Sequence, residues 1–145
     1  MNLYADTSAL IKKYVREAGS EEAAANFEQH EAIVSAAITQ VEMASAMAKA
    51  ARLGWVDKAE LSSAWRDFLG HWPAYIRLPL SAAVVERAAD LIWKHGLRAY
   101  EAVHLASALT CKDMTGDELV FACYDKALSE AARQEGLEVW PGTGD

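Results

Sequence analysis

The chain has 145 residues, 52% of them hydrophobic and 24% charged, which suits one packed core and excludes a disordered or fibrous protein. A formal charge of −7 argues against a broad basic face for gripping nucleic acid, but leaves room for a small acidic site that holds cations. No apolar run approaches the roughly 18 residues of a membrane span and no secretory signal opens the chain, so a single cytoplasmic domain over residues 1–145 is expected. Cys111 and Cys123 lack zinc-ligand spacing and are expected to be reduced thiols packed as small hydrophobes.

Asn2 to Ala5 predicts a short buried strand, and Ser8 to Val15 a helix that ends before the turn-like "REAGSEE". A second helix is predicted from about Ser20 to Gln29, with acidic residues in its first turn where the helix dipole favours them. "AIVSAAI" is β-prone, and "TQVEMASAMAKAARLG" is a helix by its alanine and methionine content, stopped at Gly54. A helix from about Asp57 to Gly70 places Leu61, Trp65, Phe68 and Leu69 on one stripe, and Tyr75 to Leu78, between two prolines, reads as a strand. Ser81 starts a further helix, closed by Gly96, whose apolar face holds Val84, Val85, Ala88, Leu91 and Ile92. "RAYEAVHLASALTC" adds another helix, and the tail alternates strand "ELVFAC", helix "DKALSEAARQEG" and strand "LEVW". Alternation of this kind predicts an α/β domain whose mostly parallel sheet is covered on both faces.

Four carboxylates stand beside these apolar elements. Asp6 and Asp125 follow strands, where open parallel sheets place their ligand crevice, and Glu42 and Glu101 lie in the first turns of helices. Each also has a local reading. Thr39 and Glu42 match a capping box; Asp6 and Asp125 suit N-caps worth about 1 kcal/mol each; Glu101 suits a weak pair with Arg98. Capping does not explain several acids at one end of one sheet, where they would repel one another unless a cation joined them. Magnesium or manganese takes such oxygen donors, lowers the pKa of bound water and stabilises charge developing on a phosphodiester.

The stretches "NLYADTSALIKKY", "ITQVEMASAM", "LRAYEAVHLASAL" and "VFACYDKALSEAA", in this order and at these separations, resemble the four blocks of PIN-domain ribonucleases, most closely the VapC-type toxins of toxin–antitoxin pairs. The resemblance spans nearly the whole chain. It implies a three-layer α/β/α domain with a central, mostly parallel sheet, and endonucleolytic cleavage of RNA that depends on Mg²⁺ or Mn²⁺. It further implies an antitoxin whose basic segment occupies the acidic crevice, and a homodimer. Carried over by position, Asp6 is the central metal ligand, Glu42, Glu101 and Asp125 complete the acidic group, and the Ser8 hydroxyl stands beside them. Two positions depart from the pattern: Glu101 replaces the usual Asp, moving its carboxylate out by about 1.5 Å, and Cys123 replaces the usual Thr or Ser. The longer acid leaves a second reading open, a weak or inactive PIN domain that serves as a protein-binding module.

Around the acids, Lys12, Lys13, Arg16, Lys49, Arg98 and Lys126 are candidate phosphate contacts, although solvated charge explains any one of them. His104, one turn after Glu101, reads as a packed or hydrogen-bonded core histidine rather than a general base. Some of Trp55, Trp65, Trp72 and Trp93 are expected to face a partner, and Met43 and Met47 to suit an antitoxin groove. A phosphotransfer or receiver domain also ends its first strand in an acid, but it wants a second acid where Ser8 stands. No P-loop or GxGxxG is present.

Overall fold

Alternate residues of the short strands enter opposite hydrophobic clusters, and this places helices on both sides of the sheet. In β1 (Asn2–Ala5) Leu3 and Ala5 pack to one side and Tyr4 to the other; in β4 (Leu119–Ala122) Val120 and Ala122 oppose Leu119 and Phe121. The computed structural model describes residues 1–142.

After β1 come α1 (Thr7–Tyr14), α2 (Ser20–Glu28), β2 (Ile33–Ala36), α3 (Thr39–Arg52) and α4 (Lys58–His71). A short 3-10 turn (Trp72–Ala74) leads to β3 (Ile76–Leu78), followed by α5 (Ala82–His95), α6 (Ala99–Thr115), β4, α7 (Lys126–Gln134) and β5 (Glu138–Trp140). The sheet order is β3-β2-β1-β4-β5 and every pairing is parallel. The fold is therefore the expected three-layer α/β/α arrangement. Residues of α1 to α4 fill one layer with Leu10, Phe27, Met43 and Phe68, and residues of α5 to α7 fill the other with Val84, Leu105 and Leu128.

Local chemistry explains where the elements begin and stop. Asp6 is itself the N-cap of α1, accepting from the Ala9 amide, so the helix starts at Thr7, one residue earlier than expected. Gly96 closes α5 with φ 69°, a left-handed turn that costs glycine no Cβ clash. Met43 and Met47 are core residues, 0% and 5% exposed, which corrects their expected place in a partner groove. The methionine side of α3 packs into the cluster that this helix shares with α1 and α4. Trp72 is buried, whereas Trp55 and Trp93 are 67% and 91% exposed. Among the described residues no helix is long and apolar enough to cross a membrane.

Candidate active site

The strand order reverses direction between β1 and β4: the chain leaves β1 toward β2 on one side, and leaves β4 toward β5 on the other. Asp6 and Asp125 lie just past the carboxyl ends of these two central neighbours, at the switch point where open α/β sheets form a crevice. The Asp6 amide donates to the Ala122 carbonyl at 3.1 Å, which ties the first site residue to the β4 ladder.

Asp6 is only 4% exposed. Its Oδ1 accepts from the Ser8 hydroxyl at 2.7 Å and from the Ala9 amide at 3.0 Å. Burial pushes its carboxyl above the ordinary aspartate range; the charge of His104 and hydrogen bonds from Ser8 and Cys123 oppose that shift without cancelling it. Ser8 also accepts from the Tyr124 amide at 2.9 Å. One hydroxyl thus joins the start of α1 to the loop between β4 and α7.

Glu42 is not held by the capping box that its sequence suggests. Thr39 is buried and its hydroxyl pairs with Ser35, while Glu42 Oε1 turns to the Thr7 hydroxyl at 2.7 Å and to His104 Nε2 at 2.6 Å. The other ring nitrogen of His104, Nδ1, meets the fully buried Tyr4 hydroxyl at 2.8 Å. A continuous chain Tyr4–His104–Glu42–Thr7 therefore runs from the sheet interior to the site. Burial favours the protonated form of Glu42, but the hydrogen bond and charge of His104, with help from Thr7, prevail and hold its carboxyl below the ordinary glutamate range. Sequence reasoning expected a hydrogen-bonded core histidine at 104 and missed Tyr4 and Thr7. The available signal was the alternation of β1, which sends Tyr4 to the face that α6 covers.

Glu101, 7% exposed, accepts from the Arg98 amide through Oε1 at 2.9 Å, so it caps its helix through the backbone rather than pairing with the Arg98 guanidinium. Its carboxyl also meets that of Asp125. Burial and the neighbouring Asp125 push Glu101 up, against the pull of the Arg98 amide. Asp125 caps α7 by accepting from the Leu128 amide at 2.8 Å. Cys123 is buried, and its Sγ lies 3.3 Å from the Asp125 amide, so the sulfur takes a position from which it holds the Asp125 backbone. Burial and the charge of Asp6 push this thiol up, keeping it un-ionised.

The structure thus brings Asp6, Ser8, Glu42, Glu101 and Asp125 to one end of the sheet, in three groups: Asp6 with Ser8, Glu42 with His104 and Thr7, and Glu101 with Asp125. Among the described residues no three His, Cys, Asp or Glu side chains stand together as a ready ligand shell. Glu42 and Glu101 each have an oxygen turned to another partner. The donor chemistry nevertheless fits a hard divalent ion. All donors are carboxylate oxygens; Asp6 is buried with no Lys or Arg ion pair among the described residues; and two carboxyls touch, a contact that a cation would relieve.

Three of the candidate phosphate contacts are engaged elsewhere. Lys12 binds Glu17 and the Ala18 carbonyl, Lys13 the Tyr75 hydroxyl, and Arg16 Glu21. Lys49 lies over the Trp55 ring, whereas Arg98 and Lys126 are exposed beside Glu101 and Asp125.

The PIN domain family matches residues 3–134. The chain is 36% identical over 143 residues to Ribonuclease VapC45 and to Ribonuclease VapC49, both of Mycobacterium tuberculosis, covering 99% of this chain and 97% of each relative. Among solved structures, FitAcB from Neisseria gonorrhoeae superposes with a TM-score of 0.68 at 18% identity, over 94% of this chain and 95% of that one. PAE2754 from Pyrobaculum aerophilum superposes with a TM-score of 0.66 at 22% identity, over 96% and 83% of the two chains. These two likenesses speak for the shared fold.

Proposed function

The chain belongs to the PIN-domain family and stands among its VapC-type members, and from that premise we propose that it is the ribonuclease toxin of a toxin–antitoxin pair. The whole chain acts as one PIN domain that cleaves RNA phosphodiesters at the β1/β4 switch point. The observation that carries this reading is Asp6: a carboxylate buried at the end of the central strand, oriented by Ser8, with Glu101 and Asp125 in mutual contact nearby. Burying an acid without a cation costs stability, and function explains why the cost is kept.

Mg²⁺ or Mn²⁺ is the cofactor this donor set suits, held by Asp6, Glu101 and Asp125, with Glu42 completing the acidic group. When bound, such an ion supplies Lewis-acid stabilisation of the charge developing on the phosphodiester and lowers the pKa of water. The chain's own residues orient the parts. Ser8 fixes Asp6 Oδ1 and, through the Tyr124 amide, the loop that bears Asp125. Thr7 and His104 fix Glu42 Oε1 and keep the side chain ionised, leaving Oε2 to accept a hydrogen bond from water. Arg98 and Lys126, exposed at the rim, are placed to meet the flanking phosphates. The antitoxin reads the same acids with a basic segment, and exposed Val85, Trp93 and Met114 on α5 and α6 supply apolar area for a homodimer.

The test is cleavage of total RNA by the purified, partner-free chain with Mg²⁺ or Mn²⁺, beside Asp6→Asn. Metal-dependent cleavage lost in Asp6→Asn is expected. Failure to cleave in any divalent metal, with metal binding unaffected by Asp6→Asn, refutes the reading. One observation favours the second reading, a non-catalytic binding module: Glu101 is committed to the Arg98 amide. In that case Mn²⁺ gives no thermal stabilisation.

A further inference from the structure

Lys12, a candidate phosphate contact by sequence, is built into the fold instead. Its side chain is only 12% exposed, and Nζ has three partners: Glu17 Oε1 at 3.0 Å, the Ala18 carbonyl at 2.7 Å and the face of the Tyr124 ring, whose centroid lies 4.4 Å away. An ammonium is strongly hydrated, so burying it this far requires partners that replace the water. Glu17 and Ala18 belong to the connection between α1 and α2, whereas Tyr124 belongs to the loop between β4 and α7, so one side chain joins two segments distant in sequence. Gly19, with φ 88°, brings the end of the same connection against the ring: a Cβ there would stand 3.4 Å from Tyr124 Cε1 and from its hydroxyl. Trp140 meets the ring at 89°, with centroids 5.8 Å apart.

Ser8 and Lys12 stand at i and i+4 on α1 and so share a helix face one turn apart. Both hold the same residue: the Ser8 hydroxyl accepts from the Tyr124 amide at 2.9 Å, and the Lys12 ammonium caps the Tyr124 ring. Tyr124 lies between Cys123 and Asp125 in the three-residue loop that joins β4 to α7. We propose that Lys12 is a positioning residue for the metal site: by holding the Tyr124 ring it fixes the loop that places Asp125 opposite Asp6. The proposal rests on the reading of Asp6, Glu101 and Asp125 as holders of a divalent ion, and adds to it a residue outside the acidic group. Without a cation the acids repel one another, and that repulsion pushes the Asp125 loop away from α1. A hydrogen bond at the Tyr124 amide alone leaves the residue free to pivot about one point; a second contact at the ring removes the pivot and keeps the donors where an ion bridges them. The sign of the effect separates positioning from charge. Lys12 is itself a cation, so by Coulomb's law alone its removal strengthens the binding of another cation nearby, whereas loss of positioning weakens it.

The experiment reads two quantities in the full chain without any RNA: amide hydrogen exchange at Tyr124 in the metal-free protein, followed by NMR, and the affinity for Mn²⁺, followed by titration. Lys12→Met keeps the length and the apolar stem but removes the ammonium. It is expected to speed exchange of the Tyr124 amide and to weaken Mn²⁺ binding, each by about tenfold, the low end for residues that support metal ligands indirectly. Lys12→Arg, whose guanidinium also stacks on aromatic faces, should recover most of both. Tyr124→Phe keeps the ring and should behave as wild type; Tyr124→Leu should match Lys12→Met, and the two together should lose no more than Tyr124→Leu alone. Glu17→Gln removes the ion pair but leaves the Ala18 carbonyl and the ring, and should leave Mn²⁺ affinity unchanged, so that a lost salt bridge is not the cause. Tighter Mn²⁺ binding in Lys12→Met, faster exchange with unaltered affinity, weaker binding with unaltered exchange, or additive losses at Lys12 and Tyr124 each overturn the proposal. Because exchange is read without metal, the two readings fail separately. A wild-type chain that binds no Mn²⁺ removes the metal-site reading, and variants that all bind Mn²⁺ as wild type does remove the role of Lys12 alone.

Discussion

His104→Leu tests whether the chain Tyr4–His104–Glu42–Thr7 is a structural and functional unit. The substitution keeps much of the buried volume but removes both ring nitrogens. The Tyr4 hydroxyl, 0% exposed, then has lost its partner, at a cost of about 1–3 kcal/mol. Glu42 loses a hydrogen bond to a charged group worth about 1.5–3 kcal/mol, discounted because its side chain is 23% exposed and turns partly to water, and because Thr7 remains. The expected total is about 3–4 kcal/mol, read by urea unfolding at constant m-value, or roughly 10 °C in Tm for a chain of this size. Tyr4→Phe in the same background should recover part of the loss, because it removes the stranded hydroxyl; the two changes should couple by about 1 kcal/mol or more. Glu42, freed from His104, should titrate at higher pH. A loss below about 1 kcal/mol, with Tyr4→Phe simply additive, would refute the relay.

Three further outcomes follow from the acids. In the metal-free chain Asp6 and Glu101 have raised pKa values, so the stability they contribute is fully present below the ordinary carboxylate range of about 4 and is lost as pH rises through their folded values. Mn²⁺ should therefore raise Tm more at neutral pH than at pH about 4, and a stabilisation independent of pH contradicts the assignment. Glu42 has the opposite sign: its depressed pKa contributes stability above the unfolded value, lost as pH falls through the folded one, and Glu42→Gln should flatten that acid limb of the Tm profile. Glu101→Asp is too short to reach the Arg98 amide and should cost about 1 kcal/mol in urea unfolding, while cleavage is retained or raised because the acid is freed toward Asp125. Complete loss of cleavage would show that the longer acid is matched to this site.

What the sequence determined by itself was the frame. β1 and β4 are short apolar runs that end abruptly in Asp6 and near Asp125, and a buried parallel strand followed by a charge is legible without coordinates because an acid directly after such a run stands at the strand's carboxyl end, where the crevice lies. The N-caps at Asp6, Ser81 and Asp125 are equally local, since each side chain accepts from the amide three residues on, within four successive residues. Partner choice is not local. Thr39 and Glu42 satisfy the spacing of a capping box, yet Thr39 bonds the Ser35 hydroxyl four residues earlier, and the packing of α6 on the sheet brings His104 to Glu42, 62 residues away. Met43 and Met47 likewise suit a partner groove by residue type, and only the packing of α3 against α1 and α4 buries them. Tyr124 and Trp140 come together because β4 and β5 are neighbours, and α2 crosses in front of them through a connection that no periodicity describes. Sequence fixes which groups are available and at which ends they stand; long-range packing decides which of them touch, because side-chain hydrogen bonds between distant segments exist only after the sheet order has brought those segments together.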